Sequence, residues 1–183
     1  MKLRDRFKEV LVDPTWEQIV ERDPLIAFSF FLAGRVHVLF DVAGEIIENL
    51  DQGFLEAPVN GDRIARAESL MWLWILGTYE VVRTMCQAKD CFSERALDQL
   101  MQFKKTLSSV RMPAAKMEKA GRKVPVSSNR SASGWDVAGK DLFINDPESI
   151  DVRARSLLQE FDRVFSSITK DDVLGPHEAS YPG

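Results

Sequence analysis

Apolar residues recur along this chain mostly at the three- and four-residue spacing of amphipathic helices, seldom in the alternation of half-buried strands. A short segment from about Lys2 to Leu11 shows the spacing first. Asp13-Pro14 interrupts it, and Thr15 can cap a second short helix, "TWEQIVER". Asp23-Pro24 then opens a long helix that reaches about Asp51. Asp caps it, and Pro suits the first helical position because the N–H it lacks had no partner there. Phe28, Leu32, Leu39, Val42, Ile46 and Leu50 form its inward stripe. Gly34 and Gly44 either mark close helix approach or are simply tolerated.

The stretch "DQGFLEAPVNGD" reads as a loop by its Gly, Pro and Asn content. The next helix runs from Asp62 to about Lys89, with Leu70, Trp74, Val81 and Met85 on one face. Trp72, Leu73, Leu76 and Tyr79 extend its apolar surface round the other side. A helix of that kind lies centrally in a bundle or at a subunit interface. Ser93 caps a further helix with Leu97, Leu100, Leu107 and Val110 in register. Pro113 predicts a bend, after which the chain continues helically to about Ala120 and stops at Gly121. Between Lys123 and Asn145, "VPV" and "DLFI" sit among Ser, Gly and Asn, which predicts a long loop or small hairpin with its tip near Ser131–Gly134. Asp146-Pro147 repeats the helix-start signal, and Ile150, Ala154, Leu157, Leu158, Phe161, Val164, Phe165 and Ile168 follow the cleanest periodicity in the chain. Residues 171–183 read as a flexible tail. The expected fold is all-α. It is a single domain over residues 1–170, a helical bundle of about four long helices plus short N-terminal helices. A loop or small β-hairpin insertion at about 123–145 precedes the last helix.

Composition alters this little, since 45% hydrophobic and 28% charged residues in 183 are ordinary for one globular domain. The charged N-terminus lacks the apolar core of a signal peptide, and the longest apolar runs are too short to span a bilayer, so a soluble, cytoplasmic chain is expected. Charge distribution alters the picture more. From Lys104 to Arg130 eight cations face one anion, Glu118; that segment is +7 against −4 for the whole chain, so the remainder carries −11. A basic patch on an acidic body suits a local polyanion, or the acidic face of a second copy.

Candidate chemistry is sparse. Cys86 and Cys91, five apart, are neither a disulfide framework nor a metal motif, and two histidines make no metal constellation, so neither metal nor cofactor is expected. Cys86 has Arg83 and Lys89 on adjacent turns, which favour the thiolate, but its apolar setting favours a buried structural thiol. His37 and Asp41 share a helix face, as a general base with its orienting carboxylate or as a solvent-side polar pair; the second reading is preferred. His177, in the tail, reads as incidental. Trp72 and Trp74 project about 200° apart on a helix, which suits core or dimer packing better than a ring-binding cage.

Two stretches carry a family likeness: "YEVVR" (Tyr79 to Arg83) and "KKTLSSVRMPAAK" (Lys104 to Lys116). From about Asp62 to Ala120 the chain resembles the helical HEPN domains of prokaryotic toxin–antitoxin and phage-defence proteins, whose motif is Arg-x4–6-His with an acidic residue on the preceding long helix. Arg111 matches the arginine, Ala115 a small residue and Glu80 the acidic position. Lys116 stands where the histidine would be, and Met112 replaces the usual polar residue. The resemblance implies association with nucleic acid or nucleotides, and a homodimer. Histidine can exchange a proton near neutral pH, whereas lysine stays protonated unless desolvated and serves as an electrostatic stabiliser.

The first functional expectation is therefore a non-enzymatic binding or assembly protein that forms a homodimer. RNA, a nucleotide or a protein partner would meet the basic segment at Arg111, Lys116, Lys119, Arg122 and Lys123. The alternative is a degenerate metal-independent ribonuclease with Arg111, Lys116 and Glu80 converging on one cleft. A third reading, a small-ligand sensor, requires an enclosed apolar pocket lined by Trp72 or Trp74 with a few convergent polar groups.

Overall fold

The computed structural model describes residues 11–116, 133–144 and 152–177. The expectations for Lys2–Val10, Gly121, "VPV", Asp146-Pro147 and Ile150 lie outside the described residues, as do Lys119, Arg122, Lys123 and the side chain of Lys116.

Thr15 begins the first helix, α1 (Trp16–Arg22), as its pattern predicts: its hydroxyl accepts from the Gln18 N–H and the Gln18 side chain accepts from the Thr15 N–H. The long helix expected from Asp23-Pro24 is two helices. A short α2 (Leu25–Phe28) ends at Ser29, whose extended backbone (φ −164°, ψ 115°) restarts the chain as α3 (Phe30–Gly53). Ser29 makes that break stable by accepting from the Leu32 N–H at 3.2 Å, a polar cap that the apolar stripe conceals.

Helix α4 (Gly61–Gln87) runs back along α3, with Asn60 capping its start through the Arg63 N–H. The antiparallel register is read from Arg66–Glu45, from the Trp74 indole N–H to the Leu39 carbonyl, and from Gly77 against Leu39. A 3₁₀ turn (Lys89–Cys91) leads to α5 (Glu94–Lys116), which Ser93 starts by accepting from the Ala96 N–H. Strands β1 (Ser133–Asp136), β2 (Asp141–Ile144) and β3 (Val152–Arg153) form a small antiparallel sheet, with Trp135 opposite Leu142 and Ile144 opposite Val152. The hairpin tip is Val137–Lys140, not Ser131–Gly134: Ser133 and Gly134 are ladder residues, and the Asp136 carboxylate accepts from the Gly139 N–H to close the turn.

The last helix, α6 (Ala154–Ser167), starts later than the Asp-Pro signal suggests because Val152 and Arg153 pair with β2. Its Ala154, Leu157, Leu158, Phe161, Val164, Phe165 and Ile168 are all buried, as their spacing predicts. Phe161 sits where the layers meet: its ring centroid lies 4.5 Å from Phe40 of α3, 5.2 Å from Trp74 of α4 and 6.4 Å from Phe103 of α5. The protein is thus a helical bundle with a hairpin-bearing sheet before the last helix.

The flexible tail expected from residue 171 is pinned as far as it is described. A 3₁₀ turn (Lys170–Asp172) is followed by a bridge of Val173 to Phe92, and the Leu174 and His177 N–H groups donate to the Cys91 and Phe28 carbonyls. Backbone hydrogen bonds to two other elements hold this stretch, and hydropathy does not report them.

Candidate functional site

Helix α4 organises the polar chemistry. Tyr79, Glu80 and Arg83 follow one another along α4, and Arg111 of α5, two residues before Pro113, reaches across to Tyr79 and Glu80. One Glu80 oxygen accepts from Arg83 (Nε at 2.8 Å) and the other lies 3.4 Å from an Arg111 terminal nitrogen. The Arg111 guanidinium also stands 4.5 Å over the Tyr79 ring, and its side chain keeps only about a quarter of its exposure. One carboxylate between two guanidiniums leaves a local charge of +1. The structure therefore brings Glu80 and Arg111 onto one face, where they clamp α4 to α5.

Helix α5 runs through Pro113 to Lys116, and Pro113 is buried. Just beyond the proline, the Ala114 carbonyl accepts from the Trp72 indole N–H at 2.8 Å. Trp72 lines a half-open cleft of about 480 Å³, with Met71, Leu73 and Ile75 of α4, Ala114 of α5 and Ile144 of β2. Glu68 and Ser133 also border it; Glu68 accepts from the Ser133 hydroxyl and from the Trp135 indole N–H at 3.1 Å. Trp74 points the other way, into the core, as the helical angle between the two requires.

A smaller cleft, about 250 Å³, lies at the other end of α4. Phe28, Phe31 and Arg35 meet Glu80, Thr84 and His177 there. His177, expected to be incidental, packs its ring 5.1 Å from that of Phe28, tilted by 60°; its place depends on the pinning of a Gly-Pro-containing segment that carries no periodic signal.

His37 has a carboxylate partner that the sequence does not suggest. The carboxylate on His37 Nε2 is that of buried Asp23, 2.8 Å away, which the turn at Asp23-Pro24 folds back over α3. Burial pushes the Cys86 thiol above its ordinary pKa, with Lys104 partly opposing, which favours the thiol over the thiolate. Among the described residues no group of His, Cys, Asp and Glu is arranged to hold a metal ion, and no helix is long and apolar enough to cross a membrane. Comparison with known protein families, with curated proteins and with solved structures returns no match.

Proposed function

We propose that the chain is a non-enzymatic binding and assembly protein whose working form pairs two copies through the outer face of α3 and α4. The observation that carries this reading is the apolar character of that face. Phe31, Val38 and Leu73 are 70%, 60% and 55% exposed, and half-buried Val42 and Leu76 join them. Apolar side chains concentrated on one face mark contact surfaces more often than scattered ones do. A second copy fits it because an apolar stripe laid against the same stripe about a twofold axis buries both. Gly34, where an added Cβ would meet nothing within 4 Å, leaves room on that face for the side chain of a facing residue. Light scattering at micromolar concentration should give a dimer mass for the wild type and a monomer for Val38→Glu; a monomeric wild type overturns the reading.

The meeting of Glu80 with Arg111 favours a second reading, a metal-independent ribonuclease in which Arg111 and Lys116 stabilise charge at the scissile phosphate. It predicts cleavage of single-stranded RNA in EDTA that is lost in folded Arg111→Ala. Intact RNA after incubation with the wild type sinks it.

A further inference from the structure

We propose that the cleft beside Trp72 binds an organic cation, an ammonium or amidinium group carried on an apolar body. Its walls are apolar, and at about 480 Å³ it lies within the size range of small-molecule sites. The one ionisable side chain among the described residues lining it is Glu68, a half-buried carboxylate.

Among the described residues Glu68 is held by neutral donors alone. Its oxygens accept from the Ser133 hydroxyl and the Trp135 indole, both neutral donors, and no lysine or arginine among the described residues pairs with it. Elsewhere on α4 Glu80 has two arginines, a contrast with the neutral donors that Glu68 has among the described residues. The two neutral donors fix where the carboxylate stands and leave its charge to attract a cation. Trp72 adds a second attraction for the same ligand. Its N–H is tied to the Ala114 carbonyl, which holds the indole in the cleft wall, and an indole face attracts cations. Anions are disfavoured by the same carboxylate, and a neutral ligand gains only the apolar walls.

Three probes of matched shape separate these cases: 2-phenylethylammonium, 2-phenylethanol and phenylacetate, titrated against tryptophan fluorescence and saturation-transfer NMR. The ammonium should bind at least about tenfold more tightly than the alcohol, the worth of one charge-assisted contact, and the carboxylate should bind least. Glu68→Gln should erase the preference for the ammonium. Ser69→Arg, which puts a cation at the rim without touching the hairpin contacts, should lower ammonium binding even if Glu68→Gln loosens the sheet. Equal binding of all three probes, no binding of any, or a preference that survives in both variants overturns the proposal. Leu73 borders both this cleft and the pairing face, whereas Val38 lines only the latter, so Val38→Glu should leave the preference intact and the two readings can fail separately.

Discussion

Asp172 accepts from the Ser93 hydroxyl, from the N–H and hydroxyl of Thr169, and from Arg95. Burial alone pushes its carboxyl pKa up, but these donors outweigh burial and hold it down at about 2 against an ordinary 3.8. A carboxylate depressed in the folded state stabilises the fold above its unfolded pKa, and that stability is lost as pH falls toward the folded value. Asp172→Asn should therefore cost about 1–2 kcal/mol at pH 7, discounted because Arg95 is half exposed. In urea melts the gap between variant and wild type should close as the pH is lowered from about 4 toward 2. A gap that does not change with pH would contradict the assignment. Ser93 is legible in the sequence as a helix cap; its second role is not, because its partner lies 79 residues later in a segment of plain polar residues. The same holds at the candidate site. Arg111 and Glu80 can be paired on paper by helix face, whereas Glu68 acquires its meaning only when the hairpin brings Ser133 and Trp135 to it.

Helical elements were legible where apolar spacing runs unbroken, as in α4 and α6, and illegible where a polar residue or a contact decides the boundary. Ser29 divides α2 from α3 through a side-chain cap, and β3 delays α6 by pairing Val152 and Arg153. Gly53 is a third case. Its place in "DQGFLEAPVNGD" suggests a turn glycine, yet it ends α3 and is buried. An added Cβ there would stand 2.7 Å from Cγ1 of Ile64, itself fully buried in the first turns of α4. The glycine is there for close approach of two helices, not for backbone freedom. Gly53→Ala must push α3 and α4 apart and should cost about 1–3 kcal/mol by overpacking. A lower urea midpoint with an unchanged slope checks this; an unchanged midpoint would mean that the crossing gives way freely.

At the scale of the whole molecule the core and the proposed pairing face divide α3 and α4 between them. Taking Val38 as reference, Phe31, Gly34, Arg35, Asp41 and Val42 all project within ~60° of it at 100° per residue, while Val36, Leu39, Phe40 and Ala43 are buried on the opposite side. The inward stripe was legible because burial follows period, except at Val42, which was expected inward but is half-buried at the edge of the outer face, about 40° from Val38. The outward one was not: a pattern of apolar residues on several faces fits a central helix as well as a paired one. Among the described residues Val38 and Leu73 are exposed, which is what the proposed pairing would cover. Pairing through this face makes a demand on its apolar character. Val38→Glu and Leu73→Glu each put a carboxylate into the seam, where burial against a second copy would strip its water, and each should weaken association by about tenfold or more in sedimentation equilibrium. Two such variants that dimerise as well as the wild type, both folded by circular dichroism, would remove this face as the place of pairing.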